Sequence, residues 1–488
     1  MKIMIAYPPL QGEGTPLLGQ NRQFQWFHNP TFLYPVVPAS AATLLKHAGH
    51  EVLWSDGLAE RWSFDQFMAH VLEVRPQLVA METKSPVVKQ HWGIIARLKA
   101  ELPETRLVLM GDHVTAFPEE SLRASPVDFV ITGGYFDFQL KGLVEALQGR
   151  AALPSGVWHR RQGEIESSGG FEQDYDLDSL PLIDRDLTKW FNYGEKFYKR
   201  APFIRTMVGR DCAKNACTFC SWTTLFPKFR SRSPKSLLDE IEMLVSRYGV
   251  REVFDDTGTF PAGGWLRTFC EGLIERGLHR QILFDLNFRF DLLTERNAEL
   301  MKRAGFRLMK IGLESANQAT LDRLKKGITV EQIWEGCRIA KAAGLDLHLT
   351  TMVGYPWETR QDAKRTLALA RQLMAEGYAE MLQATVVMPY PGTPLFRDAV
   401  ANGWLRIGPT EYERLDMREP VFVTPDMTPD EVMAMCRGLY RGFLDVRFLA
   451  RKLSKVRTVD DVRYLLRGVR PVVGHLLDFK GLRARAAA

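Results

Sequence analysis

The stretch FIRTMVGRDCAKNACTFCSW, residues 203–222, joins an apolar run to three cysteines that fall within nine residues. The run at 203–209 is typical of a buried strand, and Cys212, Cys217 and Cys220 follow it. In barrels built from alternating strands and helices, active-site residues lie on loops at the carboxyl ends of the strands. The stretch therefore predicts a reactive loop at the start of an α/β barrel.

Three clustered thiols admit three interpretations. Iron–sulfur clusters take cysteine thiolates as ligands, and a cubane held by three of them keeps one iron open for another ligand. A structural zinc site needs four ligands, and no histidine lies near the cysteines in the sequence to be the fourth. A chance cluster of core cysteines is the third interpretation. The spacing favours iron–sulfur over zinc and leaves both open.

Further strand-like runs follow the cysteine stretch, each separated from the next by a helical stretch. Together with the run at 203–209 they make six strands, which suits a partial barrel better than a closed eight-stranded one. The later runs are REVFDD (251–256), QILFDLNF (281–288), RLMKIGLES (307–315), LDLHLTTMVG (345–354) and EMLQATVVMP (380–389).

The first 150 residues show a different series, with five strand–helix units joined by short loops. This pattern predicts a doubly wound parallel sheet, whose ligands bind beyond the carboxyl ends of the strands. The whole chain is thus predicted to be α/β and to divide as follows: a Rossmann-like domain at 1–150, a connector at 151–200, a partial barrel at 201–404 and a basic helical region at 405–488.

Composition limits the classes of protein to consider. Of 488 residues, 45% are hydrophobic and 25% charged, which is ordinary for a globular protein. No apolar run approaches the roughly 18 residues of a membrane span, and the first residues lack the features of a signal peptide. Cys270, Cys337 and Cys436 stand alone in helical contexts, so a disulfide framework is not expected. A reducing cytoplasm is the expected compartment.

The net charge is only +6, but the basic excess is concentrated in the C-terminal region. Basic amphipathic helices can lie on anionic membranes, so this region suggests a peripheral membrane contact. The alternative is that the region simply packs on the barrel. Nucleic acid is not an expected partner, because no recognised RNA-binding module follows the barrel and the excess is confined to one end.

Seven motifs occur in a fixed order along the barrel region. They are CTFC (217–220), FRSRSPKSLLDEIEMLV (229–245), FDDTGTF (254–260), NFRFDLL (287–293), IGLESANQATLDRLKKG (311–327), MVGYPWET (352–359) and VMPYPGTPLF (387–396). With the first domain they resemble the cobalamin-binding-domain family of radical S-adenosylmethionine (SAM) enzymes, over residues 1 to about 400. Each motif alone is weakly specific, whereas their order is strongly so.

The resemblance implies that Cys212, Cys217 and Cys220 ligate a [4Fe–4S] cluster whose open iron is chelated by SAM. Four residues separate the first two cysteines where three are usual, which puts the pose of SAM in doubt. Carboxylates at strand ends suit the SAM ammonium and ribose, and Arg289 suits its carboxylate, although Arg289 could equally pair with Asp291. The implied SAM contacts are Phe219 beside the adenine, Asp255, Asp256, Arg289, Glu314, Ser315, Gly354 and Pro389.

For the first domain the resemblance implies a cobalamin site, with a vestigial domain of the same fold as the alternative. No Asp-x-His-x-x-Gly motif is present to supply a lower axial histidine. Two positions depart from the family pattern: Met110 replaces a glycine, and GGYF at 133–136 replaces Gly-Glu-Gly-Glu. The implied cobalamin contacts are Tyr7, Pro8, Thr83, Ser85, Asp112, His113, Gly133 and Gly134.

The implied activity is cleavage of SAM to a 5′-deoxyadenosyl radical, followed by cobalamin-dependent methylation of an unactivated carbon. Radical cyclisation or rearrangement, with or without cobalamin, is the alternative reaction, and a zinc-stabilised binding module is the alternative of another class. The implied partners are a small-molecule or lipid-like substrate and an electron donor of the flavodoxin or ferredoxin type.

Overall fold

The computed structural model describes residues 1–19, 22–27, 30–194 and 197–468. Two sheets, one of seven and one of six strands, dominate the chain. Within the described residues, no helix has both the length and the hydropathy that a bilayer span demands.

The first region alternates strands and helices as predicted. Its strands are β1 (Lys2–Tyr7), β2 (Thr15–Pro16), β3 (Trp26–Phe27), β4 (Glu51–Asp56), β5 (Leu78–Thr83), β6 (Arg106–Gly111), β7 (Phe129–Ile131), β8 (Val157–Arg161) and β9 (Glu164–Ser167). Its helices are α1 (Val36–His47), α2 (Phe64–Val74), α3 (Val88–Glu101), α4 (Asp112–Ala116), α5 (Pro118–Ala124) and α6 (Phe136–Leu147).

The first sheet runs in the order β4-β1-β5-β6-β7-β8-β9. Strands β4 to β7 in that order are parallel, and the order reverses between β1 and β5, where doubly wound sheets bind ligands. Helices α1 and α6 pack together on one face, while the buried residues of α2, α3 and α5 form a core on the other. The predicted doubly wound sheet is confirmed.

One feature of the segment at 151–200 differs from the prediction of a connector. Strands β8 and β9 form an antiparallel hairpin that adds to the edge of the first sheet at β7. Arg160 fixes the hairpin by donating hydrogen bonds to the carbonyls of Ser125 and Val127 at 2.7 and 2.8 Å. The polar composition of the hairpin is explained by its place at an exposed sheet edge.

The second region begins at β10. Its strands are β10 (Phe203–Thr206), β11 (Gly209–Arg210), β12 (Arg230–Ser231), β13 (Glu252–Asp255), β14 (Leu283–Phe288), β15 (Phe306–Glu314), β16 (Asp346–Val353) and β17 (Met381–Val386). Its helices are α7 (Trp222–Leu225), α8 (Pro234–Tyr248), α9 (Gly264–Glu275), α10 (Glu295–Arg303), α11 (Gln318–Arg323), α12 (Val330–Ala343), α13 (Arg360–Ala375) and α14 (Pro394–Ala401).

The second sheet runs in the order β10-β13-β14-β15-β16-β17, and every pairing is parallel. Strand order follows chain order, which is the arrangement of a barrel rather than of an open doubly wound sheet. The predicted six-stranded partial barrel is therefore confirmed. All six strands end on the same side, so the residues that follow them surround one opening.

Local sequence signals explain where the barrel helices start and stop. Thr294, Thr329 and Thr359 each cap a helix in a capping box, with the third helical residue bonding back to the cap. Gly249 and Gly344 end α8 and α12 in the left-handed conformation that glycine adopts without steric cost.

The C-terminal region is helical, as predicted, over its described part. It contains α15 (Pro429–Tyr440) and α16 (Val446–Ser454), and residues 459–468 form a further helix. Helix α15 packs on β17, where the Tyr440 hydroxyl bonds to both backbone groups of Ala384. The remainder of the predicted basic tail, from 469 onward, lies outside the described residues.

Candidate active site

The cysteine loop lies between β11 and α7 at the opening of the barrel. It is braced from two sides, because the Thr218 amide donates to the carbonyl of Leu324 at 3.0 Å and the Leu395 amide donates to the carbonyl of Thr218 at 2.9 Å. Asn215 adopts a φ of 37° and its side-chain amide bonds to the carbonyl of Pro227. This turn accommodates the extra residue between the first two cysteines.

All three cysteines line a cavity at this opening. The Cys212 thiol is 2.9 Å from the hydroxyl of Thr259. Burial raises the pKa of Cys217, and burial also raises that of Cys220 to about 12, with a further increase from the carboxylate of Asp211. Both thiols are therefore held in the protonated form at neutral pH until a metal displaces the proton.

The cavity encloses about 180 Å³ and reaches from the cysteine loop across the ends of the barrel strands. Among the predicted SAM residues it brings together Phe219, Arg289 and Glu314 with the cysteines. Side chains not singled out in the sequence also line it, and most of them are polar or sulfur-containing. They are Arg22, Gln23, Asn287, Lys310, Lys326, Thr350, Met352, Gln383, Thr385, Met388, Tyr390 and Met417.

Glu314 forms the anionic part of the cavity. Its carboxylate is buried and accepts a hydrogen bond from the half-buried Lys326 at 2.8 Å. Burial alone would lower the pKa of Lys326, but the charges of Glu314 and Cys217 raise it. Glu314 has a φ of 60°, which is uncommon outside glycine and turns the chain sharply at the end of β15. The strain marks this strand end as a built site.

Arg289 lies on the cavity wall but is already engaged. Its guanidinium makes a two-point ion pair with Asp291, at 2.9 and 3.0 Å, and donates to the carbonyl of Lys326 at 2.9 Å. The sequence left open whether Arg289 pairs with a SAM carboxylate or with Asp291, and the structure has the second arrangement. The pair fixes the guanidinium at the edge of the cavity.

Other predicted SAM residues are not on the cavity wall. Asp255 is buried and accepts hydrogen bonds from Thr206, Val208 and Thr257, while burial raises its pKa to about 6. It joins the loops after β10 and β13. Pro389 is likewise off the wall, although its neighbours Met388 and Tyr390 are on it.

Ser315 and Gly354 also have structural partners. The Ser315 hydroxyl donates to Glu358 at 2.7 Å, and the same carboxylate accepts from Asn317 and Thr320. The Glu of the 352–359 motif thereby holds the turn that follows β15. Gly354, with a φ of 88°, lies against Val432 of α15 rather than against the cavity.

Arg22 also lines the cavity, but no sequence motif indicated it. It comes from the segment between β1 and α1, far from the barrel in the sequence. Its guanidinium bonds to Asp211 at 2.7 Å, to Asp256 at 3.4 Å, and lies 4.5 Å from the ring centre of Trp222. Burial disfavours its charge, but the two carboxylates raise the pKa of Arg22 well above its usual value. Asp256, a predicted SAM residue, is thus occupied by Arg22 and by Arg205 at 2.5 Å.

The predicted cobalamin residues lie together at the carboxyl edge of the first sheet. All of them are buried except Pro8, which is half-buried. A side chain at Gly134 would collide with Phe226, and one at Gly133 would come within 2.5 Å of Phe171. In this conformation Phe171 and Phe226 therefore pack directly on the two glycines. One carboxylate oxygen of Asp112 is buried and has no hydrogen-bond partner among the described residues.

His113 is fully engaged at this edge. One ring nitrogen is 3.1 Å from the Ser85 hydroxyl, the other is 3.1 Å from Glu120, and Tyr412 packs against the ring. Met110 is buried in the core of the sheet. In the GGYF segment at 133–136, which departs from the family pattern, Tyr135 packs edge-on against Phe226. The departures are therefore explained by packing within this chain.

The cysteine cavity fits the predicted cluster by the chemistry of its donors. Three thiols line the same cavity, and the cations of Lys326 and Arg22 act on Cys217 and Cys220 to favour their thiolates. In this conformation, no three or more His, Cys, Asp or Glu side chains of the described residues are grouped closely enough to hold a metal ion, so the thiols would have to draw together around a cluster.

Comparison with known proteins agrees with the site. Residues 206–370, from β10 to α13, match the sequence profile of the Radical SAM superfamily. This chain contains a radical SAM domain. The match includes the cysteine loop and decides between an iron–sulfur enzyme and a zinc module in favour of the enzyme. As such it uses a [4Fe–4S] cluster and SAM, acts on a small-molecule substrate and needs a reductant.

Relatives extend the likeness over the whole chain. An uncharacterized methyltransferase of Pyrococcus horikoshii is 27% identical over 91% of this radical SAM enzyme and 92% of the relative. The anaerobic magnesium-protoporphyrin IX monomethyl ester cyclase of Cereibacter sphaeroides is 26% identical over 90% of the enzyme and 68% of the relative.

Solved structures share the architecture. The radical SAM methyltransferase TsrM from Kitasatospora setae, with cobalamin and a [4Fe–4S] cluster bound, superposes with a TM-score of 0.68 at 15% identity, over 99% of both chains. The predicted fold, a Rossmann-like domain followed by a radical SAM partial barrel, is confirmed by this likeness. The roles of the individual site residues remain predictions.

Proposed function

We propose that Cys212, Cys217 and Cys220 hold the cluster and that SAM binds beside it in the cavity. The observation that carries this proposal is that the three thiols, Phe219 and Glu314 line one cavity at the carboxyl ends of the six parallel strands. A [4Fe–4S] cluster held by these three cysteines would supply, once reduced by an external donor, the electron for the reductive cleavage of SAM.

The protein side chains would position SAM. The Glu314 carboxylate suits the SAM ammonium, and Lys326 holds that carboxylate ionised and in place. Phe219, adjacent to the third cysteine, offers an apolar surface to the adenine. Arg289 is fixed by Asp291 and offers any remaining donors to the SAM carboxylate. A cavity within the barrel limits the access of water to a reactive radical.

We further propose that the reaction is methyl transfer to an unactivated carbon. This proposal draws on the relative named a methyltransferase and on the fold shared with TsrM. Cyclisation is the second candidate, because an anaerobic cyclase is similar over nearly as much of the chain. Methyl-deuterated SAM distinguishes the two, since only methylation adds the label to the product.

Cobalamin binding is proposed on the shared fold, with the carboxyl edge of the first sheet as its site. Phe171 and Phe226, which contact Gly133 and Gly134, would lie beside a corrin ring bound there. Equilibrium dialysis of the anaerobic protein against hydroxocobalamin tests this, and the absence of retained corrin would contradict it.

The finer identity of the partners is also a proposal. Lipid-like or polycyclic substrates fit the sulfur-containing part of the cavity wall formed by Met352, Met388 and Met417. An electron donor of the flavodoxin or ferredoxin type would supply the electron. A peripheral membrane contact through the C-terminal helices is proposed as well.

The cluster proposal is tested on protein reconstituted anaerobically with iron and sulfide, then reduced and given SAM. We expect iron–sulfur absorbance and 5′-deoxyadenosine, and the loss of both in Cys217→Ala. Cys270→Ala is the matched control, because Cys270 is buried in α9 away from the cavity. Equal cluster content in Cys217→Ala and the control would contradict the proposal.

A further inference from the structure

The last two described helices present their apolar side chains outward. In α16 the exposed residues are Val446, Leu449 and Leu453, and in the helix at 459–468 they are Val459, Val462 and Leu466. Both sets have the spacing i, i+3, i+7, which places each set on one face of its helix. We call these six residues the apolar stripe. Val446 is 78% exposed and Leu453 68%.

This arrangement inverts the usual amphipathic helix. A surface helix normally buries its apolar face and exposes its charges. Helix α16 instead turns Lys452 inward to Glu380, at 2.6 Å, and Arg451 inward to the carbonyl of Ala375, at 3.0 Å. Only Phe448 of its large apolar residues is buried. The apolar stripe therefore stays exposed, because charged side chains rather than apolar ones attach α16 to the rest of the protein.

The helix at 459–468 is anchored in the same way. Asp461 pairs with Lys199 at 2.5 Å, and Arg467 donates to the carbonyl of Tyr198 at 2.9 Å while stacking on its ring. Tyr464 lies beside Lys452 of α16, so the two helices are neighbours. Their stripes thus belong to one region of the surface.

The charge around the stripe is positive. Arg447, Arg457 and Arg463 are exposed among its residues. The acids between 446 and 468 are Asp460 and Asp461, and both are already paired with cations. Among the described residues these arginines pair with no acid, and apolar side chains flanked by such arginines are the pattern of helices that lie in the interface of an anionic bilayer. We propose that the apolar stripe docks this enzyme onto an anionic membrane surface.

A second copy of the chain fits the stripe less well. A twofold interface would place the same arginines of two copies against each other, and like charges at a desolvated interface are unfavourable. Anionic headgroups would neutralise them instead. The positive charge around the stripe therefore favours an anionic bilayer over a second copy of the chain as the partner of this surface.

The docking surface lies at the opposite end of the barrel from the cavity. Its anchors Glu380 and Lys199 precede β17 and β10, whereas Glu314 and the cysteines follow the ends of strands. A docked enzyme would hold the cavity mouth away from the bilayer, open to an electron donor in the aqueous phase. This surface anchors the enzyme rather than feeding the cavity.

The test is flotation of the full chain with vesicles of phosphatidylcholine alone or with phosphatidylglycerol added. We expect binding only to the anionic vesicles, weakened by high salt. Leu453→Ser with Leu466→Ser should lower the partition coefficient by on the order of tenfold, since each change removes apolar groups from the bilayer. Arg447→Gln with Arg463→Gln should lower it for anionic vesicles.

Matched controls are Val400→Ser with Val423→Ser, which change exposed valines outside the stripe, and Arg97→Gln with Arg338→Gln, which change exposed arginines elsewhere. They should bind as the wild type does, and all variants should retain the wild-type melting temperature and SAM cleavage in solution. No flotation of the wild type, flotation unaltered by the stripe changes, or dimers that the stripe changes dissolve would each overturn the proposal.

Discussion

At the scale of single residues, sequence motifs located the reactive wall of the cavity but not its supporting contacts. The cysteines, Phe219, Arg289 and Glu314 meet at the cavity, because they follow strands that end on one side of the barrel. Arg22 could not have been found, since its partners Asp211 and Asp256 are distant in sequence. Lys326 lies within a recognised motif, but no spacing rule pairs it with Glu314.

The buried thiol of Cys220 leads to a prediction about pH. With a pKa of about 12 against an ordinary value of 9.0, its thiolate fraction at pH 8 is ~1000-fold lower than that of a free thiol. In cluster-free protein we expect slow alkylation of Cys220 by iodoacetamide, with a rate that rises about tenfold per pH unit up to about pH 11. Mass spectrometry of the Cys220 peptide measures it. Fast labelling at pH 8 in the native protein, equal to that in denaturant, would contradict the prediction.

Gly312 should be essential for the Glu314–Lys326 pair. A Cβ at Gly312 would collide with the Glu314 carboxylate and lie 2.5 Å from the Lys326 ammonium. Gly312→Ala should therefore displace the pair and weaken SAM binding about tenfold or more, the cost of one charge-assisted hydrogen bond. Calorimetric titration of the reconstituted enzyme with SAM measures this.

The control is Gly93→Ala in α3, where a Cβ meets no atom within 4 Å. It should bind SAM as the wild type does. Unchanged SAM affinity in Gly312→Ala would remove Glu314 from the SAM site.

At the scale of elements, apolar periodicity was sufficient for the parallel strands and their order. It did not predict the β8–β9 hairpin, because a hairpin at an exposed sheet edge needs few apolar residues and its sequence resembles that of a polar connector. It also could not separate motif residues that line the cavity from those that join elements. Ser315 and Glu358 hold the β15 turn together, and this role depends on tertiary contacts alone.

The packing of α15 on the barrel should depend on Gly354. Its φ of 88° already disfavours a side chain, and an added Cβ would lie 2.8 Å from Val432. Gly354→Ala should lower the free energy of unfolding by roughly 2–4 kcal/mol, the sum of left-handed strain and overpacking. Gly403→Ala, which has a φ of 64° but open space, should cost only about 1–2 kcal/mol. Equal losses in urea denaturation would refute the role of α15.

At the scale of the whole molecule, Arg22 links the first region to the barrel. It joins the β1–α1 loop to the cysteine loop at Asp211 and to β13 at Asp256. The sequence predicted two α/β units, but their docking depends on complementary surfaces that no single segment encodes. The cysteine loop is thus positioned partly by residues from the other end of the chain.

Arg22→Met should leave Asp211 and Asp256 without this partner and cost roughly 3 kcal/mol in the free energy of unfolding. We also expect a shift in the redox potential of the cluster, because a positive charge near Cys220 is lost. Arg22→Lys should restore the potential in part, and Arg97→Met, at an exposed site, should change neither quantity. A potential identical in wild type and Arg22→Met would contradict a positioning role.

We have proposed that SAM binds to the cluster within the cysteine cavity. The most direct test is the electron paramagnetic resonance spectrum of the reduced, reconstituted enzyme before and after addition of SAM. We expect a [4Fe–4S] signal that changes when SAM binds, with no such signal in Cys217→Ala and a normal one in Cys270→Ala. A cluster signal that SAM leaves unaltered, in protein that nonetheless binds SAM, would contradict it.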